Sequence, residues 1–414
     1  MATNTTVTLS RVNTPPAQTW NYLRTNDITL EVPFVSRKGD VYFALPRLFE
    51  GIECGMGQAV TDWVESVATD AQYVEVRAGE KRAEPIVVSS MDTGVMVRAG
   101  AEATIVVCTG GNRVDSPSVL SAASSADKND EDSASGASLS SAASSAASEA
   151  KRGLFESAAE SEAPDASAQL STSAALVRII AEHDARVHVY EFVAASDEVQ
   201  HIESVGITAD KRARVDVHQY FLGAATTAAG LVCSLNGTNA RFDLTCRYLG
   251  RKSERLDINH VVRMRGRNGR TNVSESGVLD DRASKALRAT IDLIHGSSGS
   301  EGTELENVLV LSDDVINKTM PVILCDEDDV AGNHGATIGS VGPEQIQYLA
   351  DRGLTLDEAE ALYVRALFDE AIIAAPTANI RAAVLKRAED VLGAETAGDL
   401  IDGLGLNDEC SEEG

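Results

Sequence analysis

Between about residues 175 and 340, apolar residues return at every second position in short runs. Phe242, Leu244, Cys246 and Tyr248 alternate with polar neighbours, and Leu256, Ile258, Val262 and Met264 do the same further on. This period predicts strands with one buried face and one wet face. Turn residues separate the runs, as in LNGTN, YLGRKSE and GRNGR. No helical pattern lies between them to support βαβ crossovers, which leaves a sandwich, a barrel or a β-helix. No strict repeat is visible to choose among the three.

The flanks follow other periods. Val60, Trp63, Val64 and Val67 fall at helical spacing within Gln58–Val67. From Met91, the stretch MDTGVMVRAGAEATIVVC reads as strand, turn, strand, with the turn around Gly100. After the strand-rich region, Pro343 stands at the first position of a predicted helix, where proline is tolerated. Thr355 and Glu358 have capping-box spacing ahead of a second helix, whose apolar face includes Leu362, Val364, Ala366, Leu367 and Ile372. Pro376 ends it, and a third helix runs from about Asn379 to Val391. The expected organisation is an N-terminal helical or mixed region over 1–95, a β core over 96–342 and a C-terminal helical domain over 343–414.

Inside the β core, from about 116 to 173, the composition collapses into Ser, Ala and acid. Such a tract has too little apolar surface to offset its ordering entropy, so a disordered loop is expected. Strand-like sequence resumes at once with ALVRIIAEHDARVHVYEFVAA, which makes the tract an insertion within one domain.

Of the 414 residues, 43% are hydrophobic but only 4% aromatic, so the core must be built from small aliphatic and β-branched side chains. A formal net charge of -27 excludes nucleic acid and anionic membrane surfaces as partners, because affinity there comes from neutralising phosphates. From Asp390 onward there are eight acidic residues and no Lys or Arg, which reads as a solvated acidic tail. Cys54, Cys108, Cys233, Cys246, Cys325 and Cys410 form no C-x-x-C pair, so zinc ribbons and ferredoxin-type motifs are absent. No apolar stretch approaches the roughly 18 residues of a membrane span, and Met1–Ser10 holds no apolar signal core. A cytoplasmic protein with reduced thiols is the expectation.

Motifs for autonomous chemistry are missing. The chain has no phosphate-binding G-x-x-x-x-G-K-[ST], no G-x-S-x-G and no H-E-x-x-H. Gly266 and Gly269 of GRNGR read as a plain turn, and Arg263, Arg265, Arg267 and Arg270 as a charged, solvated strand edge. Asp313–Asp314 and the Asp326–Asp329 run could serve a polysaccharide-cleaving β-helix, yet they follow strand ends, where Asp is a routine turn residue. His334 differs from the other six histidines in standing among small residues, Gly332, Gly335 and Ala336, which leave its imidazole open to a partner.

Together these residues carry a family resemblance. LVLSDDVINKTMPVILCDEDDVAGNHGATIGSVGPEQIQYLADRG resembles the most characteristic segment of the SufB/SufD family. The matching residues are Leu309–Asp314, Asn317 and Pro321, Asp328–Val330, His334–Thr337 and Tyr348–Gly353. TNVSESGVLDDRASKALRATIDL, ARVHVYEFV and the AQTWNYLRTND segment extend the likeness upstream. The cysteine of the SufB branch near Glu306 and its E-H-E-A-T are absent, so the resemblance is to the SufD branch. One departure is Gly332, which stands where that branch has a cysteine.

The resemblance implies a right-handed parallel β-helix flanked by an N-terminal α/β region and C-terminal α-helices. It implies a scaffold subunit for iron–sulfur cluster assembly rather than an enzyme, pairing with a SufB-like subunit and binding a SufC-like ATPase. The cluster would be transient and shared with SufB, none being bound stably by this chain alone. His334 would be the cluster-assembly residue at the SufB interface, and Leu362, Leu367 and Ile372 the ATPase-binding face. The competing readings are a β-helix carbohydrate-active enzyme and a family relative acting as a homodimer.

Overall fold

In a computed structural model, the chain is described at residues 5–19, 23–34, 43–109, 113–114 and 170–403. Nearly all of the Ser/Ala-rich tract, Trp20 and residues 404–414 of the acidic tail lie outside the described residues, and with them the expectations of a disordered insertion and a solvated tail end. The fold opens with an antiparallel pair, β1 (Thr5–Val12) and β2 (Ile28–Phe34), and with α1 (Gln58–Val67).

A parallel β-solenoid follows, as the resemblance implied. Its front sheet stacks β3 (Ala71–Val76), β5 (Asp92–Val97), β8 (Ser171–Ala181), β10 (Val199–Ala209), β12 (Thr226–Leu235), β14 (Arg255–Met264), β16 (Ser284–Leu293) and β18 (Ile316–Cys325). Its back sheet stacks β4 (Ile86–Val87), β6 (Glu102–Cys108), β9 (Arg186–Ala194), β11 (Arg214–Gly223), β13 (Arg241–Gly250), β15 (Arg270–Leu279), β17 (Ser300–Val310) and β19 (Val330–Gly339). A short β7 (Arg113–Val114) pairs antiparallel with β8. The helices α2 (Pro343–Ala350), α3 (Leu356–Ala374), α4 (Ala378–Leu392) and α5 (Ala394–Gly403) close the described chain.

From β8 onward consecutive strands go to opposite sheets, so each strand pairs with the next but one. The corners that allow this share a backbone feature. Asp184, Arg212, Asn239, Asn268 and Gly299 all have positive φ, and a small buried residue follows each one. A left-handed residue turns the chain sharply, and a small neighbour lets one rung settle on the next. Between the sheets Val177, Val205, Leu231, Val262 and Ile291 meet Val189, Val217, Leu244 and Val273, the aliphatic core that the scarcity of aromatics demands.

The expected alternation of buried and wet faces holds for β13 but not for β14, where nearly every residue is buried. The reason lies outside the sheet. The N-terminal elements cover the front sheet, with Leu9, Val12, Leu30, Val60 and Trp63 packed on Ala174, Leu176, Ile202 and Ala228. Backbone meets backbone there, since a Cβ on Gly55 would lie 1.9 Å from the carbonyl carbon of Gly230. The helices cover the back sheet in turn. Val364, Leu367, Phe368, Ala371 and Ile372 pack on Phe192, Tyr220, Leu222 and Val278.

The capping box at Thr355 forms as expected, Glu358 N–H donating to Thr355 Oγ1 over 3.3 Å and Thr355 N–H to Glu358 Oε2 over 2.7 Å. Part of the segment expected to be a solvated tail instead forms α5, whose Leu400 packs into the helical cluster.

Candidate functional site

The solenoid ends at two edges. β18 and β19 are the last strands of their sheets, and no described strand pairs with their outer sides. Pro321 sits in β18, where an edge tolerates the missing N–H. β19 reads VAGNHGATIG, without a charged side chain, and Gly332, Asn333, His334, Ala336, Thr337 and Ile338 are all exposed. Edge strands are normally blunted by charge or bulges, and a flat uncharged one is a template for another chain.

His334 lies in the middle of this edge. Its register partner on β17 is Glu304, and neighbours in a parallel ladder project to the same face. On β17 that face is the buried one, carrying Gly302, Glu304, Glu306 and Val308. His334 therefore belongs to the inward-facing row and is exposed only because no rung lies above it.

Beneath it runs a polar seam through the solenoid interior. His260 Nδ1 and Glu275 Oε1 are 2.6 Å apart. Lys285 Nζ donates to Glu306 and, over 2.9 Å, to Thr319 Oγ1, while the Tyr248 hydroxyl donates to Glu306 over 2.7 Å. Deeper in, Gln219 donates to Glu191 over 2.6 Å, and His201 Nε2 lies 3.3 Å from Glu203. All of these except Thr319 are almost fully shielded from solvent.

Burial dominates their titration, because a low-dielectric interior disfavours the charged form. It holds His201 and His260 down to about 4. Burial, reinforced by neighbouring carboxylates, pushes Glu275 up to about 8 and Glu304 up to about 9. Lys285 is lowered by the same burial, against the pull of Glu306. Sequence reasoning missed this seam. Its signal was parity: His260 and Glu275 occupy the same alternating positions as the aliphatic core residues of their strands.

The other expected site residues separate. Leu362 is 44% exposed, but Leu367 and Ile372 are enclosed against the back sheet. As parts of an ATPase-binding face these two are corrected, since the apolar stripe of α3 is spent on the chain's own solenoid. Gly332 faces inward, and a Cβ there would lie 2.9 Å from Ile323 Cγ2, so Ile323 fills the space of the missing side chain. Cys246 is buried, as its strand pattern implied, whereas Cys325 is exposed at the end of β18. Arg263 does not lie on a solvated strand edge as expected: β14 is paired on both sides, with β12 and β16, and the guanidinium is held by Glu53 and Asp292 at 2.5 and 2.7 Å. Among the described residues no helix is long and apolar enough to cross a membrane.

Comparison with known proteins agrees with this architecture. Residues 144–367, more than half of the chain, match the family model described as SUF system FeS cluster assembly, SufBD core domain. The iron–sulfur cluster assembly protein SufD of Bacillus subtilis is 36% identical over 92 residues, covering 22% of this chain and 21% of that protein. SufD of Escherichia coli is 24% identical over 170 residues, 41% of this chain and 40% of that one. A SufBD family protein of Mycobacterium tuberculosis is 25% identical over 195 residues, 47% of this chain and 23% of that one. The matched stretches thus span from about a fifth to two fifths of these relatives' own lengths.

Proposed function

The chain belongs to the SufB/SufD core family of the SUF iron–sulfur cluster assembly system, and from that premise we propose that it is a non-catalytic, cytoplasmic scaffold subunit of the SufD kind. It pairs through its last rung with a SufB-like subunit and engages a SufC-like ATPase through its C-terminal helices. One observation carries the reading: an exposed, uncharged edge strand, β19, with His334 at its centre. Such an edge gains main-chain hydrogen bonds when a partner strand is added, and the imidazole then lies at the junction.

The nascent cluster is transient and shared across that junction. Among the described residues, no three His, Cys, Asp or Glu groups are arranged to hold a metal. Histidine in place of a thiolate also suits a scaffold that must release its cargo. For the ATPase, the surface left after the helices pack on the solenoid includes Leu356, Leu362 and Ile373, which are 47%, 44% and 70% exposed.

The test is recovery of the tagged full-length chain from its own cells under anaerobic conditions. The expected companions are a SufB-like subunit and a SufC-like ATPase. Recovery of a second copy alone would favour the homodimer. Activity on polysaccharides without companions would favour the carbohydrate enzyme.

A further inference from the structure

Glu304 is an anomaly within the seam. It is 1% exposed, and no N–H, hydroxyl or cation meets either carboxyl oxygen; its carboxyl lies against that of Glu275, and the two share a proton. The other seam carboxylates each have at least one partner: Glu306 has Lys285 and Tyr248, Glu275 has His260, and Glu191 has Gln219. A buried carboxyl that meets no cation or N–H is costly, and native structures rarely keep one without a use. Its position suggests that use. It stands directly below His334 in the β17–β19 register, on the same inward-facing row. Adjacent parallel strands are about 4.8 Å apart, so one ion can reach both side chains.

We propose that Glu304 is a second ligand for the iron handled at His334, so that this chain offers a nitrogen–oxygen pair rather than a lone imidazole. The inference rests on the scaffold reading above. Imidazole and carboxylate together suit ferrous iron, and two protein donors leave positions free for a partner's ligands or water. The arrangement also accounts for the placement of the two groups. Glu304 is held rigidly within the penultimate rung of the back sheet, while His334 on the exposed edge stays accessible to the incoming ion. Glu301 provides an internal control, since it is exposed on the same strand and is held by Arg270 at 3.2 Å.

The test uses the purified full-length chain with labelled histidines and Mn2+ as a paramagnetic probe. The His334 ring signal is assigned by its loss in His334→Ala. Substoichiometric Mn2+ is expected to broaden that signal in the wild type. Glu304→Gln should need roughly tenfold more Mn2+ or beyond, and Glu301→Gln should behave as wild type. Glu304→Asp, which keeps the charge but shortens the reach, should fall between, and it decides the matter if Glu304→Gln does not fold. Broadening of His334 at the wild-type Mn2+ level in both Glu304 variants would overturn the proposal and leave the scaffold reading intact. Absence of any His334 broadening in the wild type would overturn it too. The scaffold reading itself is judged separately, by the companions recovered from cells.

Discussion

Arg288 on β16 ties the N-terminal segment to the solenoid, and its replacement should be among the most damaging single changes in this chain. Its guanidinium grips Asp257 with Nη1 at 2.9 Å and Nη2 at 3.1 Å, while Nε donates to the Thr25 carbonyl. Asp257 also accepts from Asn13 Nδ2 over 2.9 Å, and both charged side chains are almost fully shielded. Arg288→Met keeps apolar bulk but leaves the Asp257 charge buried and without its counter-ion. Removing one partner of such a pair costs about 3–5 kcal/mol, far more than the net worth of the pair. Replacing both, as in Asp257→Leu with Arg288→Met, should return to within about 2 kcal/mol of wild type, because no buried charge remains. Asn13 then keeps its bonds to the Ala229 and Asp257 carbonyls. Urea unfolding followed by far-ultraviolet circular dichroism gives the stabilities, and hydrogen exchange at β1 and β2 reports local release. The reasoning fails if Arg288→Met costs less than about 0.5 kcal/mol, the range of an unconstrained surface change. It also fails if the double variant is no better than the single.

Four further outcomes follow from the same structure. The folded chain keeps a proton on Glu275 that the unfolded chain releases above about 4.5, so stability should fall as pH rises toward about 8, and between pH 6.5 and 8 Glu275→Gln should flatten the decline by about 2 kcal/mol. On the acid side His260 opposes this, since the unfolded chain takes up a proton below about 6.5 that the folded one refuses until about 4, and stability is lost across that window as pH falls. Gly230→Ala would put a Cβ 2.4 Å from the Gly55 carbonyl carbon, and calorimetry should show a loss of about 1–3 kcal/mol because neither backbone can step aside. Leu367→Asp should melt the helices off the back sheet, whereas Leu362→Asp should leave thermal stability within about 0.5 kcal/mol of wild type and weaken ATPase capture, and equal capture by Leu362→Asp would remove this surface from the proposal.

The sequence was most legible where structure is local. The helix over Gln58–Val67 and the Thr355 capping box depend on residues within a turn or two of one another, and both formed where the spacing put them. The solenoid was harder to see, because its repeat resides in backbone conformation rather than residue identity. Aspartate, arginine, asparagine and glycine all fill the left-handed corner position. The first rungs were less legible still, since β3 spans six residues and β4 two, too few for a period to register. His334 was visible through its small neighbours and the motif around it. Glu304 was not, because nothing local distinguishes a buried glutamate from the exposed Glu301 three residues before it.

Sequence by itself determined where most of the aliphatic core rows lie, where the helices start and stop, and that the chain carries a large negative net charge. Those are properties of alternation, capping and net charge, which need no partner to be read. Tertiary structure alone decided what covers each face. The stripe of α3 looks available in sequence, yet Leu367 and Ile372 are consumed by the back sheet, while the N-terminal elements turn the outer face of β14 into core. It also decided that His334 and Glu304, thirty residues apart, share one row at the end of a ladder. Register across parallel strands is set by corners and stacking between rungs, so such a pairing exists only once the chain has coiled.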